Sequence, residues 1–217
     1  MKRRTLPVAA ALAATAALLL TACGGGDGKS EDNDKIAGAD TGESKPPTSP
    51  SASAGAVKRP TIALPGDVKD VFEGWQTGDA TKDGLLSDVK ERIKATDAAI
   101  VAGNPDAEAL AFYYKGQALA GAADWVQGYV KNGKTITGTV RFYHPDLIMV
   151  DKDTAALAYC ADETNAFDKN RKTNEIEKTA ATKNSYVAYN TRVEKNEQGV
   201  WQTTSLLSER GNAKCTP

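Results

Sequence analysis

"KTITGTVRFYH", Lys134 to His144, alternates small or polar residues with branched and aromatic ones, and its reading decides the fold class. The period of two and the Thr, Ile, Val, Phe and Tyr content predict a strand with one buried face. The segments downstream read the same way. "DLIMV" (146–150) follows His144-Pro145, and "TAALAYCA" (154–161) follows Asp151-Lys152-Asp153. "NSYVAYNTRVE" (184–194) and "VWQTTSLLSE" (200–209) flank Asn196-Glu197-Gln198-Gly199, the composition of a hairpin turn. Between Thr164 and Ala181 the chain is polar, as in a long loop or an extended hairpin tip.

Upstream the period changes. "TIALPGDVKDVFEGW" (61–75) places Val68, Val71 and Phe72 in a first strand or entry segment that ends at Gly74. Leu85, Val89, Ile93, Thr96 and Ile100 then recur at spacings of three and four, one face of a helix. Asp79 or Thr81 can cap its start, and Gly103 can take the left-handed conformation that ends it. A second helix is expected from Asn104-Pro105-Asp106, with the apolar stripe Leu110, Tyr114, Ala118, Ala122, Trp125 and Tyr129. Gly116 and Gly121 within it suggest a bend, and Asn132-Gly133 closes it.

Helices followed by a run of antiparallel strands give an α+β class, helices packed on a strongly curved antiparallel sheet, over residues 61–217. The order of elements and the closing Gly199-x-Trp201 strand resemble the nuclear-transport-factor-like or ketosteroid-isomerase-like cone, over about residues 66 to 215. The resemblance implies a hollow domain whose cavity, in the enzymes of that family, holds a carboxylate with a Tyr or His. Tyr113, Tyr114, Asp124, Trp125, Tyr159, Asp162 and Tyr189 are the residues that could line such a cavity here. No spacing among them singles out an acid–base pair, so none is assigned a catalytic role.

The N-terminal quarter carries no core. Every Trp, Tyr and Phe lies after residue 70. Residues 24–60 hold Ile36 and Val57 as their only large aliphatics, too few to offset the entropy of ordering. They read as a disordered tether with a reach of about 35 Å, stiffened around Pro46-Pro47 and Pro50. The run "EDND" is a solvated charge run, with nothing rigid to hold its carboxylates around a cation.

Residues 1–22 read as an export signal. Lys2-Arg3-Arg4 is the basic end, and the uncharged run Val8–Leu20 is too short for the ~20 residues of a membrane-spanning helix. Cys23 has three fates open to it: a core residue, half of a disulfide, or a site of modification. Leu20-Thr21-Ala22-Cys23 resembles the lipobox of bacterial lipoproteins. That resemblance implies a diacylglyceryl group on the Cys23 sulfur and cleavage after Ala22. Two acyl chains hold a protein firmly to a membrane where one does not. Arg3-Arg4-Thr5-Leu6 resembles the twin-arginine signal only in part, and the missing flanks favour the general secretory route. The chain as a whole is similar to small exported lipoproteins of Gram-positive bacteria.

With Cys23 modified, Cys160 and Cys215 remain, and two thiols in an exported domain are expected to form a disulfide.

Composition bounds the chemistry. The chain has 27 Lys+Arg against 28 Asp+Glu, and loss of residues 2–4 leaves it mildly acidic, which argues against nucleic acid as a partner. His144 is the sole histidine, so a Cys–His or Ser–His–Asp site would depend on one residue in a strand-connecting turn. The usual short zinc-ligand spacings, P-loops and dinucleotide fingerprints are missing, so neither metal nor cofactor is expected. Three functional readings follow: a noncatalytic lipid-anchored protein that binds a small ligand or an envelope partner, a structural or accessory envelope protein, or a cone-fold enzyme using an Asp/Tyr pair. An open cavity distinguishes the first and third from the second.

Overall fold

The computed structural model describes residues 57–217, so the signal peptide, Cys23 and the tether as far as residue 56 lie outside the described residues. The described chain runs β1 (Val68–Phe72), α1 (Ala80–Ala102), α2 (Glu108–Tyr113), α3 (Gly116–Lys131), β2 (Lys134–Met149), β3 (Thr154–Asn170), β4 (Ile176–Glu177), β5 (Tyr186–Lys195) and β6 (Trp201–Arg210). Among these elements no helix is long and apolar enough to cross a membrane.

The helices pack on one mixed, six-stranded sheet of order β1-β2-β3-β5-β6, with β4 paired to β3. The sheet is antiparallel except at one edge. β1 joins β2 in parallel, Val68 opposite Gly138 and Phe72 opposite Phe142, which corrects the wholly antiparallel expectation. The reason is connectivity. Three helices intervene between β1 and β2, and a crossover of that length can return the chain in the same direction.

β2 is also one strand where two were expected. His144-Pro145 is a bulge, not a connecting turn: the β2–β3 register shifts between Tyr143 and Asp146, and His144 takes φ 50°. A second shift lies between Thr139 and Arg141. Bulges bend a strand and increase its twist, so these two curl the long β2–β3 ribbon around the helices. Gly138 sits at the tightest approach. It has φ +101°, and a Cβ there would stand 2.1 Å from the Asn165 carbonyl oxygen.

α1 begins and ends as the sequence predicts. Asp79 accepts from the Thr81 and Lys82 amides, and Gly103 closes the helix in the left-handed conformation, φ 66°. The next expected helix is instead broken in two. Tyr114 leaves helical geometry for extended backbone and bridges to Thr203 of β6, where the Lys115 amide donates to the Thr203 carbonyl. Gly116, φ 58°, lets the chain re-enter a helix as α3.

One core cluster packs Trp75, Leu86, Val89 and Ile93 against Phe142, Leu157 and Trp201 of the sheet. A second joins the helices through Ile100, Leu110, Tyr113 and Val126, with Val200 beneath them. The end of the sequence-defined tether touches the domain. Val57 packs on the second cluster, and Arg59 donates through Nε and a terminal nitrogen to both oxygens of buried Asp88 at 2.9 and 3.1 Å. Asp88 also accepts from the Trp201 amide at 3.0 Å, tying α1 to the start of β6.

Cys160 of β3 and Cys215 form a disulfide with Cα atoms 5.5 Å apart. Both are buried with Tyr143 and Ala188 in a small third cluster. The Tyr143 hydroxyl donates to the Cys215 carbonyl, so the C-terminal tail is held by a covalent bond and a hydrogen bond.

Candidate functional site

The curled sheet and helices α1 and α3 enclose a cavity of about 840 Å³. Ile93 and Ile100 of α1, Ile136, Val140 and Phe142 of β2, and Phe167 of β3 supply apolar wall. Trp125 stands half-exposed against the edge of Tyr129, their centroids 5.4 Å apart, and both line the same space. Pockets of this volume and lining take drug-sized molecules.

Of the residues nominated from sequence, Tyr114, Trp125, Tyr159 and Tyr189 line the cavity. Tyr159 and Tyr189 stack with centroids 5.0 Å apart. Tyr113 and Asp124 do not line it. Tyr113 is wholly buried in the helical core, its hydroxyl unpartnered, and burial together with nearby Asp88 pushes it up to about 12. Asp124 is exposed because it lies on the outer side of α3, next to the cavity-facing position of Trp125. Asp162 is also outside the lining; it accepts from Arg141 at 3.0 Å, which also bonds Glu73. His144 is exposed on its bulge.

The most polar part of the cavity is made by residues the sequence reading passed over. In β1 the inward-facing positions are Val68, Asp70 and Phe72, so alternation puts a carboxylate between two core residues. In α1, Asp97 follows Ile93 by one turn and Arg92 precedes it, placing both on the side of the apolar stripe. All three line the cavity. The usable signal was a charged residue at a position whose period says inside.

Both oxygens of Asp70 are buried and have no donor, and the group they face is the carboxyl of Asp97. Two carboxylates offer only acceptors, so a hydrogen bond between them needs a shared proton. Burial, then the charge of Asp70, push Asp97 well above the usual carboxylate range, with Arg92 opposing. Asp70 is raised by burial as well, partly offset by the facing Asp97 carboxyl and by Lys94. Burial and mutual repulsion thus favour one proton shared by the pair over two negative charges.

Arg92 is the buried cation beside it. Its terminal nitrogens donate to the hydroxyls of Tyr114 at 3.1 Å and Tyr159 at 2.7 Å, while Nε has no partner. Tyr114 in turn shares a hydrogen bond of 2.9 Å with Thr96. Three further acidic lining groups are paired: Glu163 with Arg210, and Asp168 and Glu177 with Lys134 at 3.0 and 2.8 Å. Among the described residues no group of three or more His, Cys, Asp or Glu is arranged to hold a metal ion.

No protein-family profile matches the chain, and no curated protein is significantly similar to it. Similar solved structures exist. The hexachlorocyclohexane dehydrochlorinase LinA-type3 of Novosphingobium barchaimii is 14% identical with a TM-score of 0.42, over 62% of this chain and 92% of its own. A ketosteroid isomerase-like protein of Erwinia carotovora atroseptica is 12% identical with a TM-score of 0.36, over 57% of this chain and 94% of its own. The intermembrane space region of the chloroplast protein ARC6 is 15% identical with a TM-score of 0.38, over 62% of this chain and 99% of its own. Each overlap is partial, and the chemistry of the cavity stands on its own residues.

Proposed function

We propose that this chain is an extracytoplasmic protein, anchored to the membrane by a diacylglyceryl group on Cys23, whose domain binds a small, largely apolar ligand. The observation that carries the binding half is the cavity of about 840 Å³, walled by aromatic and aliphatic side chains around one buried polar cluster. An accessory protein with no ligand has no need of an empty core, because packing that space would stabilise the fold. The anchor half rests on the lipobox-like Leu20-Thr21-Ala22-Cys23 after a short apolar run.

The carboxyl pair supports a second reading, a cone-fold enzyme working through an aspartate. An ionised carboxylate beside a protonated carboxyl holds a base and an acid together, with Tyr159 near Asp97. The Asp/Tyr pairing considered from sequence would then be Asp97 with Tyr159, not Asp124.

The test takes both halves. Cys23→Ser should abolish lipid labelling and leave uncleaved precursor; a fully processed, membrane-retained variant overturns the anchor. Gly121 lines the cavity with open space around it, so Gly121→Trp should fill the space without breaking the fold. Organic extraction of the chain purified from membranes should yield a small molecule in near-stoichiometric amount, at least ~10-fold less from Gly121→Trp. Equal recovery from both variants overturns the cavity as its site.

A further inference from the structure

We propose that the cavity recognises a ligand with one ammonium group on a largely apolar body, the ammonium seated between the carboxyls of Asp70 and Asp97. This rests on the ligand-binding reading above and names the chemical class of the ligand.

Asp70 of β1 and Asp97 of α1 meet at the cavity wall, yet among the described residues no Lys or Arg is hydrogen-bonded to either. The buried cation nearest to Asp97, Arg92, spends its terminal nitrogens on two neutral phenols and keeps Nε unpartnered. Arg92 is 4% exposed, so its charge must be balanced locally. One negative charge on the proton-sharing pair balances it. The empty cavity is thus neutral at its polar end with the proton in place, and short of one positive charge without it.

An incoming ammonium restores that balance. The exchange is R–NH₃⁺ in from solvent and one proton out to solvent, with both carboxylates ionised afterwards. Three N–H donors then face oxygens that had no donor. Tyr129, Trp125 and Phe142 line the same space, and aromatic rings attract a cation and pack an apolar body. A neutral ligand leaves the pair and its proton unchanged. A carboxylate ligand meets like charge.

Other charges around the pair come from every packed element and set the pH at which the exchange occurs. Lys69 and Lys94 flank it from β1 and α1, and Arg92 precedes Asp97 by five residues on α1. Glu163 and Tyr159 face it from β3 and Tyr129 from α3, while Asp168 of β3, Glu177 of β4, Tyr189 of β5 and Arg210 of β6 line the same cavity. β2 presents only Ile136, Thr137, Gly138, Val140 and Phe142, none of which titrates.

Three near-isosteric probes test it: 1-naphthylmethylammonium, 1-naphthylmethanol and 1-naphthoate. Calorimetric titration uses the full chain in lipid nanodiscs, with empty discs as blank, in buffers of different ionisation enthalpy. The ammonium should bind at least ~10-fold tighter than the alcohol at about pH 8, release close to one proton, and lose that advantage at about pH 5. Asp97→Asn should abolish the proton release and the preference while still binding the alcohol, which shows that the variant is folded. Equal binding of ammonium and alcohol, tighter binding of 1-naphthoate, or binding without proton release overturns the proposal and leaves the apolar ligand site standing. Failure of all three probes overturns the ligand-binding reading itself.

Discussion

Breaking the Cys160–Cys215 bond should lower the melting temperature by about 8–16 °C. The two cysteines are 55 residues apart in sequence. Chain-entropy treatment of a loop that long assigns the cross-link about 14 cal/mol/K of lost unfolded-state freedom, or about 4 kcal/mol at 25 °C. In a domain of this size each kcal/mol moves the midpoint by about 2–4 °C, which gives the stated range. The folded state adds to the loss. Both cysteines are buried, and the tail they hold carries the Cys215 carbonyl that accepts from Tyr143. The assay is calorimetric unfolding of the full chain, comparing wild type, wild type with its disulfide reduced, and Cys160→Ala/Cys215→Ala. The last two should fall together, and amide exchange at residues 212–216 should rise in both. A midpoint change under about 2 °C would falsify the assignment of the bond as the main fastening of the tail. So would two alkylatable thiols, Cys160 and Cys215, in the native protein.

The remaining expectations concern charge, backbone and the N-terminal quarter of the chain. Burial and Asp70 raise the folded-state pKa of Asp97, so the unliganded protein loses stability as pH rises from the unfolded carboxylate value of about 4 through the folded one. Asp97→Asn should flatten that decline in melting temperature against pH; an unchanged slope rules out the shared proton. Gly138→Ala forces a methyl against the Asn165 carbonyl at a left-handed φ, and denaturant unfolding should show a loss of about 3 kcal/mol or more. Asp88→Ala strands the buried Trp201 amide and frees the half-exposed Arg59, with an expected cost of about 2–3 kcal/mol. A cost indistinguishable from zero contradicts the role given to Asp88. Limited proteolysis should cut between residues 24 and 56 and spare the domain; protection back to residue 30 refutes the tether.

Much of the fold was legible in the residues because it is set locally. Asp79 and Gly103 delimit α1, the Asn196–Gly199 turn joins β5 to β6, and alternation marks β2 and β3. What could not be read depends on partners far away in sequence. A strand pattern says nothing about the direction of its neighbour, so the parallel pairing of β1 was invisible. The break at Tyr114 is imposed by Thr203 of β6, not by any local breaker before Gly116. His144-Pro145 looks like the end of a strand, and only the continued pairing of Asp146 to Met149 with β3 makes it a bulge. In the cavity, aromatic residues were the natural candidates and four of them do line it. Asp70, Arg92 and Asp97 are not legible as a cluster, because a polar residue in an apolar period reads as a gap in it. Their meeting is a tertiary event.

The parallel edge strand also imposes an order of construction. Asp67, just ahead of β1, touches Thr137 of β2 across 70 residues of chain. A protein is synthesised from its N-terminus, so among the strands β1 emerges first and waits longest, with nothing to pair against while three helices form behind it. Contacts this distant in sequence are slow to close. Until β2 arrives and curls, the carboxyl of Asp70 stays in water, ordinary and ionised, and Asp97 has no counterpart. The vessel gains its polar end only when its first strand is docked. Cys215 follows β6, so it can seal the vessel only after every strand has appeared. A chain stopped before residue 186 has every helix and both long strands, yet it lacks β5 and β6 and therefore a closed wall.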